Sequence, residues 1–117
     1  GIYHFRPGKF DLEFLKKGEF SKMLAEAALG QGIVAAAQVT FIWSAVLDRS
    51  KWKYRQRAYR YIYLDAGHVC ENLYLAGEAI GLGVCAIGAV FDDHMNEIVG
   101  LDGTDETIIY MAAVGKV

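Results

Sequence analysis

The stretch from Tyr61 to Ile80, stopped by Gly81 and Gly83, is apolar nearly all round a helix: Ile62, Leu64, Ala66, Val69, Cys70, Leu73, Leu75, Ala76 and Ala79. A helix of that kind needs neighbours on several sides. The chain has 117 residues, enough for one domain. It also carries seven Tyr, six Phe and two Trp, and 54% of its residues are apolar. That exceeds what a small monomer can bury, so a large subunit interface or a larger fold is expected. Ala66, Cys70 and Gly77 are small enough to let another backbone approach this helix.

The other segments read as shorter elements. Gly1–Phe5 and Phe10–Leu15 suit a hairpin around Arg6-Pro7-Gly8-Lys9. Ser21 is expected to cap a helix from Lys22 to about Leu29, stopped by Gly30 and Gly32. Val39–Leu47 is almost continuously apolar and β-branched, which predicts a central strand covered on both faces. Asp48–Arg60 is polar and basic, a loop or helix start. Val84–Val90 and Thr107–Val114 read as strands, with a short helix from Asp92-Asp93 to Gly100 between them. The order β-β-α-β-α-β-α-β gives an α+β or mixed α/β domain.

Charge and cysteine usage exclude several classes. The net charge is −2 and the cations cluster only between Arg49 and Arg60, so nucleic acid is a poor partner. Cys70 and Cys85 form no CxxC and have no His at ligand spacing, so two reduced, buried thiols are expected. The apolar run Ile33–Leu47 is broken by Gln38, Thr40 and Ser44 and falls short of the ~20 residues a membrane span needs. The N-terminal residues lack the basic-then-apolar pattern of a signal peptide, and a soluble, cytoplasmic protein is expected.

Composition goes no further, but the residue strings do. Trp52-Lys53-Tyr54, Tyr59-Arg60-Tyr61, Asp65-Ala66-Gly67-His68 and Gly81-Leu82-Gly83-Val84-Cys85-Ala86-Ile87-Gly88-Ala89 resemble the nitroreductase-like flavoproteins. Within that family they are most similar to the azoline-forming peptide dehydrogenases. Gly1-Ile2-Tyr3-His4-Phe5 and Ala25–Gln31 also fit, so the likeness spans nearly the whole chain. It implies a nitroreductase-like mixed sheet flanked by helices, a homodimer, and FMN in clefts between subunits. Hydride would pass through flavin N5 between a nicotinamide (NAD(P)H) or an azoline-type peptide and a second acceptor. The family's Arg-rich phosphate-binding segment has no counterpart in residues 1–117, so a single domain forming the C-terminal half of the fold is expected.

The same resemblance selects candidate site residues. Gly88 and Ala89 match the family's flavin-edge position, where bare backbone meets a flat ring; Gly83 and Ile87 flank them in the same stretch. A helix cap and turn is the competing account of Gly81 and Gly83. Lys116 stands near where relatives hold the FMN phosphate. Lys53 and Tyr54 match a Lys-Tyr pair implicated in catalysis, suited to removing a carbon-bound proton as hydride leaves; the alternative is a solvated basic loop. His68 and Asn72 share a helical face and need partners, either the flavin or another helix or subunit. Asp92, Asp93, His94 and Glu97 suit a helix start better than a metal, and no metal site is expected. The competing function is a non-catalytic dimerisation or partner-binding domain that kept the fold and lost the flavin.

Overall fold

The computed structural model describes residues 1–116. Strands β1 (Ile2–Arg6) and β2 (Asp11–Lys16) pair antiparallel, with Tyr3 opposite Phe14 and Phe5 opposite Leu12. Strand alternation therefore sorts the hairpin into an aromatic face and a charged face. On the charged face the Arg6 guanidinium grips both carboxylate oxygens of Asp11 at 2.7 Å, and His4 lies 3.6 Å from Glu13. The aromatic face has no cover: Tyr3, Phe5, Leu12 and Phe14 are all exposed.

Helix α1 runs from Ser21 to Ala27 and a five-residue helix α2 from Gly32 to Ala36. Ser21 is not the cap expected of it. Phe20 occupies that position, and the Ser21 N–H donates to the Glu19 carboxylate at 3.0 Å. Accepting that N–H holds the Glu19 carboxyl below its ordinary range. Gly32 opens α2 where a stop was expected; one turn of helix is too short to show a period.

The second sheet has the order β3-β5-β4, with β3 at Val39–Val46, β4 at Gly83–Ile87 and β5 at Glu106–Gly115. Both pairings are antiparallel. Within this chain β3 is an edge strand, contrary to the expectation from Val39–Leu47, and β5 is the central one. Continuous apolarity says that a strand is covered, not by what. Phe41 is 40% exposed on this edge, and a bulge interrupts the ladder at Trp43/Ser44.

Helix α3 (Asp48–Tyr54), one 3-10 turn (Arg55–Arg57) and helix α4 (Ala58–Ala79) follow β3. The basic segment is thus largely helical, and the long helix starts three residues earlier than its apolar pattern. Its inner face is Ala58, Ala66, Cys70 and Gly77. Gly77 is where a backbone comes close: a Cβ there would lie 2.6 Å from Val84 Cγ2 and 3.2 Å from the Leu82 carbonyl oxygen. Gly81 takes the left-handed conformation (φ 71°), and the Leu82 N–H returns to the Gly77 carbonyl at 2.9 Å. This is the bonding of a glycine-terminated helix. Among the described residues no helix is long and apolar enough to cross a membrane.

Helix α5 (Asp92–Val99) ends at Gly100, also left-handed. Its Met95 and Ile98 join Leu24, Ala27, Ala28, Val34, Ile87, Ile108 and Met111 in the core between α1, α2, α5 and one sheet face. Ile109 and Tyr110 turn towards α4 on the other face. Buried Asn96 ties α5 to β5: its side-chain oxygen accepts the Ile108 N–H at 2.9 Å and its amide donates to Thr107 Oγ1 at 3.0 Å. Asn96→Ala strands the Ile108 N–H and should lower stability by about 1–3 kcal/mol, read as a reduced urea midpoint at unchanged slope.

The surface is large for the mass. The chain exposes 8105 Å², against about 6,300 Å² for a compact monomer of this size. Much of the excess is apolar, including Leu64, Leu75 and Ile80 on α4. Burial of α4 on several sides is therefore not met within one chain. The shortfall falls in the range that one partner contributes to an obligate interface.

Candidate functional site

The stretch after β4 is held open by what surrounds it. The Ala86 N–H points off the free edge of β4 and donates to the Tyr74 hydroxyl at 2.8 Å. Gly88 follows directly on β4, just past its last paired residue Ile87. Among the described residues neither the Gly88 nor the Ala89 N–H has an acceptor, and both residues are exposed. Ile87 beside them is buried. Gln31 clamps the segment from the other side: its Nε2 donates to the Ala89 carbonyl at 3.2 Å and to the Ala28 carbonyl at 2.9 Å. The Phe91 N–H adds a 2.7 Å bond to the Ala27 carbonyl. The result is a fixed stretch of backbone that offers an unused donor.

Nothing in this chain requires glycine at position 88. Its φ lies outside the left-handed region, and a Cβ there would meet only the Tyr110 ring, at 3.7 Å. The opposite holds at Gly77. Among the described residues, then, Gly88 has room for a side chain that Gly77 lacks.

Gly83 and Lys116 lie at the far end of the same strand. Gly83 pairs with Gly115, and the Lys116 N–H donates to the Gln38 side-chain oxygen at 3.1 Å, leaving the lysine side chain exposed. At the rise of a strand, about 17 Å separates this end from Gly88.

Lys53 and Tyr54 end α3. The Lys53 Nζ lies 5.2 Å from the centre of the Tyr54 ring, which meets Tyr61 edge-on at 4.8 Å. Among the described residues the Tyr54 hydroxyl has no hydrogen-bond partner and Lys53 no carboxylate within ion-pair distance. The next residue, Arg55, takes φ 50° and ψ −131°, a conformation suited to glycine. Holding a larger residue there costs about 1–3 kcal/mol. Neighbouring Trp52 is 78% exposed, its indole N–H tied to the Arg49 carbonyl.

One chain does not bring the two groups together. Tyr54 packs at the start of α4 on Tyr61, whereas Gly88 sits over Tyr110, which neighbours Cys70 further along that helix. At 1.5 Å per residue the two levels are about 14 Å apart. The open hollow of about 220 Å³ between α4 and the sheet, walled by Trp43, Ile62, Asp65, Val69 and Ile109, contains none of the expected site residues.

Other candidates resolve into structure. His68 is exposed and its Nδ1 lies 2.7 Å from the Leu64 carbonyl oxygen, a contact within its own helix. Burial, then the neighbouring Glu71, pushes the Cys70 thiol up; burial, then Cys70, raises the Tyr110 phenol. Both stay protonated at neutral pH, as suits an unreactive thiol. Asp92 and Asp93 occupy the first turn of α5 without bonding its free N–H groups, so they act through the helix dipole rather than as caps. Among the described residues no three metal-binding side chains converge. Gln31 and Tyr61 stand in strings that resemble the family, but neither string reveals its contact, with the Ala89 carbonyl for Gln31 and with the Tyr54 ring for Tyr61.

A model of the nitroreductase family matches residues 6–116. A nitroreductase-like protein of Methanocaldococcus jannaschii is 33% identical over 99 residues, covering 85% of this chain and 50% of that protein. A crystal structure of a nitroreductase-like protein from Anabaena variabilis superposes with a TM-score of 0.91 at 33% identity, covering 97% of this chain and 23% of that one. The Escherichia coli microcin synthetase McbBCD complex, solved with truncated pro-MccB17 bound, shares the fold at a TM-score of 0.88 and 20% identity, over 98% of this chain and 44% of that one. The chain thus spans half or less of each of these proteins.

Proposed function

The chain belongs to the nitroreductase family, and from that premise we propose that it is part of an FMN-dependent, homodimeric oxidoreductase that dehydrogenates azoline rings in peptides. The observation that carries the reading is the Gly88 N–H. Gly88 is exposed, its N–H has no acceptor among the described residues, and nothing described there needs glycine. A flat ring with a hydrogen-bond-accepting nitrogen at its edge fits such a backbone. When bound, FMN supplies the two-electron acceptor that takes up the hydride.

The chain's own residues supply the rest. Gly88 and Ala89 present backbone to the ring edge, Ile87 anchors them in the core, and Gly83 leaves the strand's other end open. Lys116 stands at that end, where its ammonium suits a phosphate. Oxidising an azoline removes two electrons and one proton as hydride and a second proton from carbon. That second proton goes to the Tyr54 oxygen as a phenolate beside the Lys53 ammonium, or to the Lys53 nitrogen as a neutral amine. The 14 Å offset between the groups in one chain suits a cleft shared between subunits, which would also cover the exposed faces of α4 and the hairpin. The peptide bound in the microcin synthetase complex supports the substrate class.

A non-catalytic docking domain would need the same cover but would have no use for the free N–H. Gel filtration of the intact protein with absorbance recorded in the visible should show flavin bands co-eluting at the mass of a dimer. A colourless dimer would favour the docking reading, and a colourless monomer would remove both.

A further inference from the structure

Tyr54 is held by two features that its own chemistry does not require. Its ring stands edge-on against Tyr61 at 4.8 Å, and the residue after it is forced into a glycine-like conformation. Three non-glycine residues have positive φ among those described, Phe10, Leu29 and Arg55. Phe10 closes the hairpin turn and Leu29 follows a helix end, ordinary places for a reversal. Arg55 instead breaks what would otherwise run on as helix, between α3 and the 3-10 turn leading into α4. Continuous helix there would leave Tyr54 on the same face as Tyr61 but about 10 Å away along the axis, too far for the observed ring contact. The sharp joint brings the Tyr54 ring onto the first turns of α4 with Lys53 beside it.

We propose that Arg55 and Tyr61 are positioning residues: the strained joint at Arg55 folds α3 back, and the Tyr61 ring braces Tyr54 so that its oxygen and the Lys53 nitrogen reach the substrate together. This rests on the reading of Lys53 and Tyr54 as the proton-accepting pair. The brace is a ring contact, since an edge-to-face pair uses the aromatic system and not the hydroxyl. Phenylalanine should therefore replace Tyr61 and leucine should not. The strain is maintained for geometry, so glycine at position 55 should relieve it and loosen the pair at the same time.

The test measures steady-state oxidation of a synthetic peptide bearing one thiazoline ring by the intact, flavin-loaded protein. Tyr61→Leu should lower kcat by on the order of ten-fold or more with KM and flavin content unchanged, whereas Tyr61→Phe should keep wild-type kcat. Arg55→Gly should raise Tm yet lower kcat. A purely structural role would instead make Tm and kcat fall together. Equal kcat in Tyr61→Leu and wild type, with Tyr54→Phe impaired, overturns the bracing role and leaves the catalytic pair standing. Wild-type kcat in Tyr54→Phe overturns both.

Discussion

Lys53→Ala and Tyr54→Phe in the intact protein should leave flavin bound and reducible by dithionite while azoline oxidation falls by roughly 10²–10⁴-fold. The selectivity follows from the chemistry. Hydride transfer from a nicotinamide requires no protein base, but breaking the azoline C–H bond leaves a proton that must be accepted. The Lys53 ammonium lies 5.2 Å from the Tyr54 ring, and the phenol has no protein partner among the described residues. Removing either group should slow the proton-dependent reaction and spare reduction by dithionite. Stopped-flow absorbance at the oxidised flavin band separates the two. Equal azoline turnover in wild type and the double variant would make these residues a solvated helix end, and loss of flavin in either variant would show a structural role.

The second large effect is a contrast between two glycines of one helix–strand unit. Gly77→Ala puts a methyl 2.6 Å from Val84 and 3.2 Å from the Leu82 carbonyl. Helix or strand must shift, at about 1–3 kcal/mol, and Gly77→Val should cost more. Flavin per folded molecule should be unaffected. Gly88→Val places branched bulk where the ring edge has to come, with only the Tyr110 ring nearby in the chain itself. Thermal unfolding without flavin should barely change, and flavin content after purification should drop severely. Urea titrations paired with absorbance spectra of both variants give the two-by-two comparison. A Gly88→Val protein with full flavin content would remove the site from that position.

Much of the fold could be read along the chain because local periodicity carries it. The hairpin, the long helix, its glycine stop and the final strand each leave a pattern over five to twenty residues. Sheet order leaves none: Val39–Val46 has the composition of a covered strand, yet Phe41 and its neighbours lie on an open edge. The candidate site was legible only through the family resemblance of the strings that hold it. Gly88 and Lys53 stand in recognisable strings, but the Gln31 clamp spans 58 residues and the Asn96 bond to Ile108 spans twelve. Contacts of that kind exist only after folding, and a side chain that serves one looks like any other Gln or Asn. Tyr61 stands in one of those strings, but its ring contact with Tyr54 across the joint has no period that a sequence could show.

The indifference of the fold to what stands at position 88 separates heritable shape from heritable chemistry. If the flavin edge lies at Gly88 as proposed, a single base change that converts this glycine to a larger residue would silence that site while sparing core, caps and sheet, so selection for folding could not remove it. On that proposal, lineages could keep this domain as a scaffold after a redox role had lapsed, and a colourless descendant need not be a damaged one.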